Sequence, residues 1–195
     1  MYVDLHTLHD GSEVEIRPIR ADDGERLQAS HARLSPESRY RRFLAAKPAL
    51  SAAEARYLVE IDGSDHFALV ATATAGGAYD DDGSIIAVAR FVRIAVDPAT
   101  AEFAIVVGDR YQRQGLAAEL LDRLVAAALD RGVRRLRATM LADNVAIHRL
   151  LERLSRGELV ELRRGIITEV EVELPTRVGG GRSGTPAMIA ACAGS

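Results

Sequence analysis

The stretch that most constrains this chain is residues 101–130, "AEFAIVVGDRYQRQGLAAELLDRLVAAALD". "AEFAIVV" is an apolar run of strand type. After the polar loop, Leu116, Leu120, Leu124 and Ala128 recur every four residues, with Leu121 and Val125 beside them. That is the apolar stripe of an amphipathic helix, and Gly132 is placed to stop it. The loop therefore ends at a helix N-terminus, where first-turn N–H groups lack intrahelical partners and the helix dipole favours an anion. A phosphate is a natural occupant of such a place. Gly115 allows close backbone approach, Ala117 keeps the next contact small, and Gln112, Arg113 and Gln114 offer side-chain donors. By spacing alone, the same loop also fits an ordinary strand-to-helix junction.

The flanking sequence predicts the rest. "SEVEIRPIR" alternates as a strand, and "ADDGERLQASHARL" reads as a helix. "LSPESRYRRFL" enters a second helix with Ser35 as cap and Pro36 at the first position. "LSAAEARYLVEI" gives a third, capped by Ser51 and ending near Asp62-Gly63. "HFALVATAT" and "SIIAVARFVRIA" are strands around the hairpin signal "AGGAYDDDGS", and "VDPATAEFAIVV" follows. "RRLRATML" alternates with Leu136, Ala138 and Met140 on one face. Asp143 can cap a helix carrying Ile147, Leu150, Leu151 and Leu154, and "GELVELRRGIITEVEVEL" makes two last strands. The predicted order is β-ααα-β-β-β-α-β-α-β-β, an α+β layout and not a regular βα repeat. Residues 1–174 form one domain in this reading. The Gly/Ser/Ala-rich 175–195 reads as a flexible tail, or as an apolar segment that docks on a neighbouring chain.

Composition narrows the function classes. A net charge of −3 gives no basic field for nucleic acid, and a single cysteine excludes an internal disulfide and a cysteine-based zinc cluster. No apolar run of membrane-spanning length and no signal-peptide h-region occur, so a cytoplasmic location is expected. Lys47 is the only lysine, a bias that reads as genome composition.

The motif Gln112-Arg113-Gln114-Gly115-Leu116-Ala117 resembles the pyrophosphate loop of the GNAT acetyltransferase superfamily, Gln/Arg-x-x-Gly-x-Gly/Ala. The strand before it, the Leu-rich helix after it, a further strand and Asn144 at the next helix follow the family's order. The resemblance extends over about residues 13–174. "LSPESRYRRFL", "IDGSDHFALVA" and "AEFAIVVGDRYQRQGLA" are further similar to the catalytic domain of bacterial Pat-type protein-lysine acetyltransferases. It implies a GNAT fold, a mixed and mostly antiparallel seven-stranded sheet splayed between the fourth and fifth strands. Acetyl-CoA would be the donor, with no metal. Gln112 through Ala118 would hold its pyrophosphate, the backbone of Ile105, Val106 and Val107 its pantetheine arm and thioester carbonyl, and Asn144 another part of it. Asn144 can equally be a second capping residue.

Acetyl transfer to an amine needs a base, because a lysine amine is charged near neutral pH. Glu102 lies on the same strand face as Ala104 and Val106, apolar neighbours that would raise its pKa. It also stands where the Pat-type resemblance implies the catalytic glutamate, and a solvated strand-end glutamate is the plain alternative. A water relay between it and the amine is possible. The tyrosine that many relatives carry as general acid is Leu151 here, and the Gly-Phe that closes this helix in them is replaced by Ser155-Arg156-Gly157. The acceptor expected from the resemblance is a protein lysine. A small amine (antibiotic, polyamine or amino acid) is the second reading, and a catalytically weak acyl-CoA sensor the third. No nucleic acid or membrane partner is expected, and the chain is expected as a monomer or homodimer.

Lesser candidates have plain readings beside them. Arg39, Arg41 and Arg42 could line an acceptor groove, meet the cofactor's 3'-phosphate, or form a solvated face. His66 could relay protons or be structural, and His148 reads as exposed. His6, His9 and His31 have no metal spacing, and Asp80, Asp81 and Asp82 read as a hairpin turn.

Overall fold

The computed structural model describes residues 4–74, 83–155 and 159–175. The Asp80–Asp82 turn, the tail after Pro175 and the Arg156-Gly157 junction lie outside them. Among the described residues, eight strands form one sheet in the order β1-β2-β3-β4-β5-β6-β8-β7. They are β1 (Asp4–Thr7), β2 (Glu13–Pro18), β3 (His66–Ala73), β4 (Ile85–Ile94), β5 (Asp97–Val107), β6 (Arg135–Leu141), β7 (Leu159–Arg164) and β8 (Ile167–Glu173). The helices are α1 (Gly24–Arg33), α2 (Pro36–Phe43), α3 (Ala52–Val59), α4 (Leu116–Asp130) and α5 (Val145–Ser155). The fold is the α+β arrangement expected from the sequence, with one strand more than the sequence predicts. The extra strand is β1, whose four residues alternate no apolar side chains into the core and are mostly exposed. It exists by pairing antiparallel with β2, Asp4 opposite Ile16.

Every strand pairing is antiparallel except β5 with β6. That parallel pairing holds only from Thr100 opposite Arg135 to Glu102 opposite Arg137. Past Glu102 the two strands diverge, which is the splay expected of this sheet.

Each face of the sheet buries its own core. On one, Leu116, Leu120, Leu121, Leu124, Val125 and Ala128 of α4 pack on Phe67, Ala89, Phe91, Ala101 and Phe103. On the other, Leu27, Ala55 and Val59 of α1 and α3 cover Ala68, Val70 and Val88. The alternation of β4 thus sends Ala89 and Phe91 to the α4 face and Val88 and Arg90 to the opposite one. Among the described residues no helix is long and apolar enough to cross a membrane.

Candidate active site

The divergence of β5 and β6 opens a cavity of 860 Å³, within the usual range for a small-molecule site. Phe103 to Val107 form one wall, Ala138, Thr139 and Met140 the other, and α2 and the start of α5 close two further sides. Beyond Glu102 the edge of β5 that faces the cavity has no strand partner. Its main-chain N–H and C=O groups are therefore open to a bound chain, except the Val107 carbonyl, which accepts from the Gln112 side chain.

At one end of this wall the polypeptide passes a short 3₁₀ turn, Asp109–Tyr111, and enters α4. Gly115, the residue before α4, has φ +85°, and Arg113 is also left-handed at φ +61°. Among the described residues no side chain caps α4, a fifteen-residue helix; the Ala118 N–H donates to the Gly115 carbonyl at 3.1 Å, which leaves the Leu116 and Ala117 N–H groups facing the loop. Arg113, Gly115, Ala117 and Ala118 line the cavity, as does Gln112, whose amide donates to the Val107 carbonyl at 3.2 Å. Two residues of the predicted loop differ. The Leu116 side chain is sunk in the α4 core, because it begins the helix's own apolar stripe, so only its main chain faces the loop. Gln114 does not line the cavity; its carbonyl accepts from His9 N–H at 3.3 Å. His9 lies so close that a Cβ on Gly115 would meet its Nε2 at 2.8 Å.

The loop is also tied to α2. Asp109 accepts from Ser35 N–H at 2.8 Å, from Ser35 Oγ at 2.8 Å and from Ser38 Oγ at 2.6 Å. Burial pushes the Asp109 carboxyl up, but those hydrogen bonds outweigh it and hold it below the ordinary carboxylate value. Ser35 caps α2 as the sequence predicts, accepting from Ser38 N–H at 3.1 Å.

Glu102 lines the cavity from the last paired position of β5. The apolar enclosure expected for it is absent: the residue is exposed. The cause is the splay itself, since no strand covers the β5 edge beyond it. Its neighbour across the parallel pairing is Arg137. The Arg137 guanidinium is stabilised first by its hydrogen bond to Glu171 and more weakly by Glu169 and Glu102.

The arginines of α2 divide. Arg39 donates to the Pro48 carbonyl away from the cavity. Arg41 pairs with Glu37 at 3.0 Å and reaches Asp143 at 3.3 Å, joining the two lips of the cleft. Arg42 lines the cavity and packs its guanidinium 4.9 Å from the Phe43 ring centre.

Asp143 is thus engaged with Arg41, and the cap of α5 falls instead to Asn144, which precedes the first helical residue and accepts from Ile147 N–H at 3.4 Å. Asn144 also lines the cavity. Leu151 is fully buried in the core and contributes nothing to it. His148 is half-buried with Nε2 3.9 Å from Glu161 of β7, so its expected exposure is corrected by the last hairpin folding against α5. His66 hydrogen-bonds Arg90, its Nε2 3.1 Å from a guanidinium nitrogen that can only donate. Arg90 is not among the site residues expected from the sequence. An arginine inside the otherwise apolar "SIIAVARFV" was the available signal, since a buried charge in a strand demands a reason.

A family model described as an acetyltransferase (GNAT) domain matches residues 13–155. An acetyltransferase Pat of Mycolicibacterium smegmatis is 37% identical over 158 residues, 80% of this chain and 45% of the relative. The chain therefore spans less than half the length of that relative. An acetyltransferase of Pseudomonas aeruginosa is 32% identical over 148 residues, 75% of this chain and 76% of the relative. Among solved structures, the GNAT domain of S. lividans PAT superposes with a TM-score of 0.74 at 32% identity, covering 88% of this chain and 97% of that one.

Proposed function

The chain belongs to the GNAT acetyltransferase family, and on that premise we propose that it moves an acetyl group from acetyl-CoA to a primary amine, the ε-amine of a protein lysine, by direct attack in a ternary complex. One observation carries this reading. A single cavity joins an uncapped helix N-terminus, an unpaired strand edge and the carboxylate of Glu102.

The residues present fit the donor. The left-handed Arg113 and Gly115 and the Leu116 and Ala117 N–H groups at the start of α4 suit a pyrophosphate. Gln112, Ala117, Ala118 and the main chain of Gln114 and Leu116 complete that cradle. Ile105, Val106 and Val107 offer an open strand edge to the pantetheine arm, and a main-chain N–H there can donate to the thioester oxygen as charge develops on it. Asn144 adds a cofactor-side contact. Bound acetyl-CoA supplies an activated thioester.

Glu102 takes a proton from the acceptor ammonium, directly or through a water. The free amine nitrogen then attacks the thioester carbon, the C–S bond breaks, CoA leaves as a thiolate, and the proton that the nitrogen sheds as the amide forms passes to that thiolate or to solvent. With Leu151 buried, no general acid stands at that position, and a thiolate is stable enough to leave without one. The resemblance to Pat-type domains supports a lysine acceptor, because it extends through α2 and β3, outside the cofactor loop.

Labelled acetyl-CoA, offered to a proteome extract beside a panel of small amines, tests the reading. Label on protein lysines is expected, falling on the order of 10²–10⁴-fold in Glu102→Gln with acetyl-CoA affinity retained. Label on small amines alone would move the acceptor, and unchanged turnover in Glu102→Gln would remove Glu102 from its role.

A further inference from the structure

Two arginines of the cavity have no part in the scheme above. Arg90 is only 5% exposed; one guanidinium nitrogen donates to the Leu58 carbonyl at 3.2 Å and the other meets His66. Arg42, from α2, is half-buried, with its guanidinium 4.9 Å from the Phe43 ring centre and its pKa lowered by burial. Among the described residues neither has a carboxylate at ion-pair distance. The other acids of the cavity are committed elsewhere, Glu37 and Asp143 to Arg41 and Glu102 beside Arg137. Burial first, and then the neighbouring Arg42, lower the Arg90 guanidinium to about 10. Desolvated cations in proteins are normally paired, because an uncompensated buried charge is costly. Two guanidiniums that line one cavity, neither with a carboxylate at ion-pair distance among the described residues, suit an anionic group on a reactant.

Their position indicates which anion. Arg90 projects from the sheet face opposite α4, the face it shares with Glu102 and Val106. The helix N-terminus that suits the cofactor's pyrophosphate belongs to the other face. In the β4–β5 register Arg90 stands opposite Ala104 and Val92 opposite Glu102. Arg90 and Glu102 are therefore diagonal neighbours, roughly 7–8 Å apart along the sheet. A guanidinium fork matches a carboxylate in a bidentate pair.

We propose that Arg42 and Arg90 form a carboxylate-binding subsite beside Glu102, holding a carboxylate carried by one of the two reactants close to the transferred group. This rests on the acyl-transfer reading of the same cavity. The carboxylate has two possible sources: an acidic side chain next to the acceptor amine, or the free end of a dicarboxylic acyl group on CoA.

The test measures kcat/KM for a short peptide whose lysine is flanked by glutamates and for its glutamine-flanked counterpart, each with acetyl-CoA and with succinyl-CoA. Wild-type protein is expected to favour one carboxylate-bearing combination by on the order of 10- to 100-fold. Preference for the acidic peptide assigns the carboxylate to the acceptor, and preference for succinyl-CoA assigns it to the donor. Arg42→Gln is expected to erase the preference, with Arg90→Gln as a second variant if its circular dichroism matches wild type. Equal rates in all arms, a preference that survives Arg42→Gln, or a variant defect confined to the KM of acetyl-CoA would overturn the proposal. If no arm shows transfer, the acyl-transfer reading fails separately. Thermal shift with the glutamate-flanked peptide and with succinyl-CoA then decides the subsite, and no stabilisation of wild type beyond that of Arg42→Gln overturns it.

Discussion

Gly115 concentrates the demands on the proposed pyrophosphate loop into one residue. Its φ of +85° is cheap only without a Cβ, and the space a Cβ would take is held by the His9 ring. Gly115→Ala must either strain the backbone or displace His9, a left-handed penalty of about 1–2 kcal/mol. The strain falls on the turn that presents the α4 N–H groups. Acetyl-CoA KM is therefore expected to rise on the order of tenfold, while the melting temperature falls by roughly 2–8 °C. Steady-state kinetics beside differential scanning fluorimetry separates the two, and a fall in melting temperature without a change in KM would deny the loop its anion. Glycine at this place was legible from spacing. Its neighbour His9 was not, because the contact joins residues more than a hundred positions apart, through a strand too polar to predict.

At the scale of elements, the site is held by the tie between α2 and the β5–α4 loop. Asp109 alone receives the α2 cap N–H and the Ser35 and Ser38 hydroxyls. Asp109→Ala is expected to free both pieces, raising acetyl-CoA KM and acceptor KM together by on the order of tenfold, since small misplacements of binding groups are costly. An effect on acceptor KM alone would show that α2 moves without the loop. The elements themselves were readable where one periodicity ran unbroken: the Leu116–Ala128 stripe, the Ser35-Pro36 and Ser51 helix entries, and the alternation of Leu136, Ala138 and Met140. What was not readable depends on partners across the sheet. Glu102 reads as enclosed by apolar residues until β6 turns away from it. Arg90 acquires its surroundings from α3, β3 and α2, and Arg41 reaches Asp143 only because α2 and α5 face each other across the splay.

At the scale of the whole molecule, the cavity wall lies over a buried histidine, His31, and beside a half-buried one, His66, and this sets how stability follows pH. His31 is 5% exposed, its ring nitrogens have no hydrogen-bond partner among the described residues, and its ring packs 5.4 Å from that of Phe43, which lines the cavity. Burial first, then Arg39 and Lys47, hold its pKa below 6.5, with Glu54 opposing weakly. His66 is lowered likewise, by burial and then by Arg90, against Asp62; its bond to Arg90 requires an unprotonated Nε2. Both histidines bind protons more readily in the unfolded chain than in the folded one, so unfolding takes up protons as the pH falls through 6.5 and below. Stability from these groups is present above the unfolded pKa and is lost on acidification. Chemical denaturation at about pH 7.5 and about pH 5 should therefore give a lower unfolding free energy at the acid end. His31→Leu removes one of the two proton acceptors and two buried polar atoms without partners, which cost about 1–3 kcal/mol when left unpaired. The variant is expected to be more stable than wild type near neutrality and to lose less on acidification. An equal acid loss in both proteins would show that His31 does not contribute to this pH dependence.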